Sequence, residues 1–132
     1  MPYLNAVIKE VLRIKPSAPG ASKRILLEDR TLTYKDNKGK ERTISLKAGQ
    51  LVLCSIYIAH LHPDNWKDPL VFMPDRFFLE NSYYNPNPFA YLPFFSGPRK
   101  CIGEKLALSE AKHIVVSVVQ RFKFTIVPSM IF

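Results

Sequence analysis

The chain has few cysteines and few glycines, and the shortage of cysteine excludes two classes of protein. It contains two cysteines, Cys54 and Cys101, and five glycines among 132 residues. Two cysteines cannot build the disulfide framework of a small secreted domain or the four-ligand set of a structural zinc site. We therefore expect a reducing compartment. The length of 132 residues is enough for one small domain with one modest core.

Long hydrophobic runs are also missing. No stretch approaches the ~18 consecutive apolar residues of a transmembrane helix, so the sequence predicts no membrane span. The N-terminus, MPYLNAVIKEVLRIKP, has spaced apolar residues and lacks the basic start and clean apolar run of a signal peptide. Apolar residues form 47% of the chain and charged residues 23%, which is typical of a globular protein.

Proline and positive charge are abundant. Eleven prolines predict many loops and short elements. The net charge of +8 suits nucleic acid, an anionic membrane or an acidic protein as a partner, and it suits solubility alone equally well. Two groups of basic residues stand out, one around a predicted turn at 35–42 and one between residues 99 and 112. Neither group contains regularly interleaved aromatic residues or a known nucleic-acid motif, so we expect no nucleic-acid partner.

Two segments have the period of amphipathic helices. Apolar residues recur at three- and four-residue spacing from Leu4 to Leu12, which predicts a helix that ends near Ile14, before Lys15 and Pro16. A second helical pattern begins at Glu104, with a broad apolar face over residues 107–122. Both apolar faces are of the kind that packs against further helices, and we expect them to be exposed without such partners.

Strands are predicted between and after these helices, which gives an α+β fold. Residues 31–46 predict two short strands around a turn at 36–39. The stretch LVLCSIYIAHL, residues 51–61, predicts a third strand with Cys54 buried inside it. FKFTIV, residues 122–127, predicts a closing strand. Residues 62–91 have no sustained period, and so long an irregular segment indicates a functional role or a wrap around another part of the fold.

The second cysteine lies in the stretch PFFSGPRKCIGEKLALSEAKH, residues 93–113, at the start of the second predicted helix. Free amides and the helix dipole favour a thiolate at that position. The residues alone leave three roles open for Cys101: a nucleophile, a metal or haem ligand, and an inert core thiol. A nucleophile needs a base, and His113 lies about three turns further along the same helix, out of reach. His60 and His62 could hold a metal, but no third ligand is evident.

The pattern F-x-x-G-x-R-x-C-x-G, formed by Phe94, Gly97, Arg99, Cys101 and Gly103, resembles the haem-binding loop of the cytochrome P450 superfamily. The resemblance implies haem b (iron protoporphyrin IX) as cofactor, with Cys101 as the axial thiolate ligand of the iron. It also implies that Gly97 allows a tight turn and that Gly103 lets the helix backbone approach the porphyrin. Phe94 would screen the sulfur from water, and Arg99 would pair with a haem propionate.

Other motifs of the same superfamily follow in the same order. EVLR places Glu10 and Arg13 on one helix face, and FMPDRF supplies Arg76. The resemblance implies a Glu–Arg–Arg cluster that holds the irregular meander against the first helix and has a structural rather than a catalytic role. A basic residue near Arg24 often contacts a propionate in this family, and His60 matches a histidine to which we assign only packing or a hydrogen bond.

The resemblance runs from about Pro2 to Val127, and family members are several times longer than this chain. We therefore expect residues 1–132 to be the C-terminal, haem-binding portion of a mostly helical cytochrome P450 domain. This portion comprises a Glu/Arg helix, a small hairpin with further strands, a meander, a cysteine-ligand loop and a long proximal helix. The upstream segment, with the oxygen-activating residues and most of the substrate pocket, is expected to be absent, so the chain alone should be inactive.

The activity that this resemblance implies for the parent protein is monooxygenation of a small apolar substrate with O2. Electrons would come from a flavoprotein reductase or another acidic donor, on the face that carries a group of basic residues: Arg99, Lys100, Lys105 and Lys112. The parent would lie on the endoplasmic reticulum membrane. Two alternatives stay open, a superfamily isomerase or dehydratase that needs no O2, and a non-catalytic fragment that acts as a binding module.

Overall fold

The structure, a computed structural model, describes residues 1–20, 22–36, 38–81, 83–84 and 87–125. Three α-helices lie in this part of the chain: α1 (Pro2–Ile14), α2 (Ile56–Leu61) and α3 (Glu104–Arg121). Helix α1 has Pro2 in its first turn, where the missing N–H costs nothing, and it ends next to Lys15 as predicted. None of the described helices is long and apolar enough to cross a membrane.

Four strands form two separate antiparallel pairs. Strand β1 (Ser22–Ile25) pairs with β4 (Leu51–Cys54), and β2 (Arg30–Lys35) pairs with β3 (Glu41–Leu46). The β2–β3 hairpin confirms the two strands predicted over residues 31–46. Its turn is held by Asp36, whose carboxylate accepts backbone N–H groups of Lys38 and Lys40 at 3.0 and 2.9 Å.

The third predicted strand is wrong in its second half. Strand β4 ends at Cys54, and residues 56–61 form the short helix α2 instead. Ser55 explains the change, because its hydroxyl accepts the N–H of Ile58 at 3.3 Å and so caps the new helix. Cys54 is exposed rather than buried. Residues 122–125 join no strand of the described chain, and residues 126–127 of the predicted closing strand lie outside the described residues.

The core lies around α1, which contacts α2, α3 and a 3-10 turn at Pro74–Phe77. The most buried face of α1 carries Ala6, Glu10 and Arg13, at i, i+4 and i+7, rather than the apolar stripe alone. The expectation that the apolar stripe is exposed is wrong for Ile8, which is 7% exposed, whereas Val11 is 46% exposed. Helix α3 has no buried residue, which confirms that its apolar face is uncovered in this chain.

Trp66 is the largest apolar side chain of the core and is 2% exposed. Its ring packs against those of Phe77 and Tyr91, with centroid distances of 5.9 and 6.3 Å. Its indole N–H donates to the carbonyls of Ala59 and Ala90, both at 3.2 Å. Residues 93–103 are called the cysteine loop below. Trp66 thus connects α2 to the segment that precedes this loop.

Candidate functional site

The structure brings Glu10, Arg13 and Arg76 together in a fully buried cluster, with all three side chains 0% exposed. The Glu10 carboxylate accepts two bonds from the Arg13 guanidinium, at 2.7 and 2.9 Å, and one from Nε of Arg76 at 3.0 Å. It also accepts the backbone N–H of Met73 at 2.8 Å. A single carboxylate therefore holds two cations that come from distant parts of the sequence.

The two guanidiniums use further N–H groups on the end of α2 and on the irregular segment that follows it. Arg13 donates to the carbonyls of His60 and Pro69 at 2.9 and 2.7 Å. Arg76 donates to the carbonyls of Lys67 and Asp68 at 2.9 and 3.1 Å. No buried side-chain nitrogen or oxygen in the described part of the chain lacks a partner. These bonds supply the backbone partners that a segment without secondary structure otherwise lacks.

The charge state of the cluster follows from these contacts. Burial by itself raises the pKa of Glu10, but hydrogen bonds from Arg13 and from the Met73 amide, together with the two guanidinium charges, hold that pKa below its usual 4.5. Glu10 is therefore ionised near neutral pH. An ionised carboxylate only accepts hydrogen bonds, and a guanidinium only donates them, so Glu10 can bond both arginines at once.

His60 belongs to the same buried region, and its full set of contacts is not evident from the sequence. Its side chain is 0% exposed and its ring stacks on Tyr91 with a centroid distance of 5.3 Å. Nδ1 lies 3.2 Å from the carbonyl oxygen of Arg13, and Nε2 accepts the N–H of Leu92 at 2.7 Å. The only sequence signal was the position of His60 before Trp66, which indicated neither bond.

The cysteine loop turns sharply just before Cys101. Phe95 and Gly97 both have left-handed backbones, with φ of 62° and 75°. A 3-10 turn follows at Gly97–Arg99, and the N–H of Cys101 donates to the carbonyl of Phe94 at 2.9 Å. The tight turn predicted at Gly97 is therefore present, with a second strained residue, Phe95, that the sequence did not reveal.

Cys101 itself lies on the surface, two residues before Gly103, which caps α3. A Cβ built on Gly103 would stand 3.9 Å from the Cys101 sulfur, so glycine leaves the flank of the sulfur uncovered. Ile102 is fully exposed, and Phe94 is half-buried. An open thiol beside apolar side chains, with Arg99 exposed nearby in the chain, fits a flat apolar iron porphyrin with acidic edges.

The charged residues predicted around the loop differ in their contacts. Arg99 is exposed, and within the described chain no carbonyl or carboxylate accepts a bond from it. Lys100 is instead paired with Glu104 at 2.6 Å. Arg24 is exposed in β1 and donates to the carbonyl of Lys23 at 2.9 Å. Arg99 is therefore available to an anionic ligand.

The competing metal and nucleophile roles gain no support from the described residues. Among them, no three His, Cys, Asp or Glu side chains lie together as a metal site. Both ring nitrogens of His60 are already in hydrogen bonds. His113 bonds the carbonyl of Ser109 one turn back at 2.8 Å. Neither histidine is placed as a base for Cys101.

Replacing Gly97 with alanine tests the strain of the loop. The added Cβ would meet nothing within 4 Å, so the whole effect comes from the left-handed backbone. We expect Gly97→Ala to lower the free energy of unfolding by roughly 1–2 kcal/mol. Gly20→Ala, also in open space but without a left-handed backbone, is the matched control and should cost nothing. Equal urea midpoints for the two variants would contradict this account.

Comparison with known proteins gives matches over nearly the whole chain. The family model described as "Cytochrome P450" matches residues 1–130. A Drosophila melanogaster protein named "Probable cytochrome P450 4s3" is 40% identical over 124 residues, which are 94% of this chain and 23% of that protein. Cytochrome P450 4X1 of Rattus norvegicus is 42% identical over 123 residues, 93% of this chain and 22% of that protein.

Solved structures give the same result for the fold. Cyanobacterial CYP120A1, solved with retinoic acid bound, superposes with a TM-score of 0.81 at 36% identity. The superposition covers 97% of this chain and 28% of that one. The chain thus spans less than a third of the length of the proteins that it matches, which places its described helices and strands in one portion of a larger fold.

Proposed function

This chain belongs to the cytochrome P450 family, and from that premise we propose that residues 1–132 are the C-terminal haem-binding portion of a haem-thiolate monooxygenase. The cofactor of the family is haem b. The observation that carries the proposal is the exposed Cys101 at the end of a tightly turned loop and beside the N-terminus of α3. When bound there, thiolate-ligated haem supplies O2 activation, which delivers one oxygen atom to an organic substrate and the other to water.

The loop residues have distinct roles in this proposal. Cys101 binds the iron through its thiolate, and Gly103 keeps the flank of the sulfur clear for the porphyrin. Gly97 provides the left-handed turn that brings the cysteine to the start of α3. Phe94 would help to screen the sulfur from water, and Arg99, which has no partner among the described residues, would bind a propionate.

The buried cluster has a structural role in the proposal. Glu10, Arg13 and Arg76 bond the irregular segment rather than any exposed surface, and all three are inaccessible to a substrate. They act by holding the meander, and through it the chain that leads into the cysteine loop. None of them touches the reacting atoms.

The proposal extends to the partners of the whole protein. We propose a small, apolar organic substrate and an acidic electron donor such as a flavoprotein reductase. The donor would meet exposed cations near the cysteine loop, above all Arg99 and Lys105, because Lys100 is engaged with Glu104. We place the parent at the endoplasmic reticulum membrane. The largely exposed apolar face of α3 supports the proposal that the chain alone turns over no substrate.

The test is the absorbance spectrum of the reduced, carbon-monoxide-bound protein reconstituted with haem. It is recorded on the 132-residue chain and on a chimera in which this chain replaces the matching segment of rat cytochrome P450 4X1. We expect the chimera to show the strongly red-shifted Soret band of thiolate ligation, and Cys101→Ser to abolish it. Cys54→Ser, the matched change at the other exposed cysteine, should leave the band intact. A band that survives in Cys101→Ser would refute the assignment of the ligand.

A further inference from the structure

We propose that His60 is a positioning residue for the cysteine loop, and that it acts as a neutral imidazole with its proton on Nδ1. Its two ring nitrogens bond two separate elements, and the Tyr91 hydroxyl links the same two by donating to the carbonyl of Lys9 at 3.1 Å. One is α1, through the carbonyl of Arg13, and the other is the chain that enters the loop, through the amide of Leu92.

The two hydrogen bonds determine which nitrogen carries the proton. The carbonyl of Arg13 can only accept, so Nδ1, 3.2 Å away, must donate. The amide of Leu92 can only donate, so Nε2, 2.7 Å away, must accept. A doubly protonated ring would lose the bond to Leu92. Burial, the largest influence, also lowers the pKa of His60 and so favours the neutral ring.

His60 is itself anchored to the buried cluster. Its backbone carbonyl accepts a bond from the Arg13 guanidinium at 2.9 Å, while its ring donates to the Arg13 carbonyl. The same two residues are therefore bonded twice, in opposite directions. The orientation of the ring is set by the cluster and by the stacked ring of Tyr91.

The bond to Leu92 reaches the cysteine within a few residues. The carbonyl of Leu92 accepts the N–H of Phe95, and the carbonyl of Phe94 accepts the N–H of Cys101, at 3.1 and 2.9 Å. The backbone of residues 92–95 thus supports the turn that carries Cys101. His60 is bonded to the first residue of this stretch.

Packing around residues 92–95 is incomplete on one side. A pocket of about 170 Å³, open to solvent on one side, lies between the loop, α1 and α3, and its lining includes Lys9, Phe94 and Leu108. Side chains that border this open space lack packing contacts on that side. The directional bond from His60 to Leu92 therefore has a larger share in placing the loop than it would in a closely packed core.

The test uses three variants. His60→Phe keeps a ring of similar shape and removes both hydrogen bonds, whereas His60→Gln keeps an acceptor for the Leu92 amide. His62→Phe makes the same change at an exposed histidine two residues away. Hydrogen exchange of the amides of Leu92 and Cys101 is measured in the 132-residue chain and in the chimera. The thiolate-ligated fraction of the haem is read from the carbon-monoxide spectrum of the chimera.

We expect His60→Phe to speed exchange at Leu92 and Cys101 by about tenfold, the equivalent of one buried hydrogen bond. The thiolate-ligated fraction should fall with it. In His60→Gln the two amides should exchange at a rate closer to that of the unsubstituted protein. In His62→Phe they should exchange at the same rate as in the unsubstituted protein. The proposal is overturned if His60→Phe leaves both amides unchanged. It is equally overturned if exchange rises by the same factor in α1 and α3, because that result indicates general destabilisation.

Only the final step of this inference rests on the proposed function, since it takes Cys101 as the haem ligand. The two failures have different signatures. If Cys101→Ser retains the red-shifted band, the ligand assignment fails while the exchange data on Leu92 still decide the role of His60. If Cys101→Ser loses the band and His60→Phe changes neither exchange nor ligation, only the positioning role fails.

Discussion

Glu10→Gln should lower the free energy of unfolding of this chain by about 3–5 kcal/mol, the cost of removing one partner from a buried ion pair. The glutamine is almost the same size, so no cavity forms. The loss arises because Arg13 and Arg76 are left buried and charged without a carboxylate, and because a glutamine N–H group would face a guanidinium. For a chain of this size, that loss is a large part of the total stability.

The measurement is urea unfolding followed by circular dichroism, with Glu28→Gln as the matched control. Glu28 is also ion-paired to an arginine, Arg30, but on the surface, where the two side chains are 66% and 61% exposed. Solvent screening should keep the cost of that change below about 1 kcal/mol. Similar losses for the two variants would show that burial does not govern the energy of the Glu10 cluster.

The pH dependence of stability gives a second test of Glu10. Its pKa in the folded chain lies below the 4.5 of the unfolded chain, so the unfolded chain binds the proton first as the pH falls. The contribution of Glu10 is then complete above about pH 4.5 and is lost as the pH falls through the folded pKa. The unsubstituted chain should lose more stability across this range than Glu10→Gln, in which the group does not titrate.

Trp66→Ala should cost about 3–5 kcal/mol, as expected for an aromatic side chain truncated in a core. The indole is 2% exposed and packs against two aromatic rings. The Cζ atoms of Arg13 and Arg76 lie 5.2 and 5.9 Å from the centroid of its ring. Its removal therefore opens a cavity and withdraws a cation–π partner from two buried charges. The same unfolding experiment measures the loss.

Trp66→Phe separates the ring from the N–H group. The phenyl ring keeps most of the packing but donates no bond to the carbonyls of Ala59 and Ala90. We expect a loss of about 1–2 kcal/mol, intermediate between the original residue and alanine. If Trp66→Phe were as damaging as Trp66→Ala, the hydrogen bonds rather than the packing would dominate at this position.

Local signals in the sequence were sufficient for α1, α3 and the β2–β3 hairpin. Periodicity over many residues, together with Pro16 after the first helix and Gly39 in the turn, leaves little choice of structure there. The stretch 51–61 misled because β-branched and aromatic residues dominate it, and the single capping hydroxyl of Ser55 outweighed that preference. A predicted strand therefore became a strand followed by a helix.

The candidate site was predictable where family motifs identify residues and not where contacts join distant segments. The E-x-x-R and F-x-x-G-x-R-x-C-x-G patterns indicated the residues of the cluster and the loop. The bond from Leu92 to His60 joins residues 32 apart in the sequence, and no local pattern encodes it. The sequence likewise did not reveal that charged residues of α1 are buried. An apolar stripe predicts the buried face of a helix only when no charged residue of that helix is paired in the core.

The irregular segment after α2 is held largely through its backbone. The two buried arginines bond carbonyl oxygens in a run of five residues, 67–71, whose side chains are mostly exposed. Every amino acid has a backbone carbonyl, so bonds of this kind do not depend on which residues form the run. Its backbone path is set mainly by Arg13 and Arg76 rather than by its own side chains. The run is therefore free to diverge between relatives, or to be redesigned, while its path stays the same. The exception is Asp68, whose left-handed backbone restricts the choice mainly to Asp, Asn or Gly.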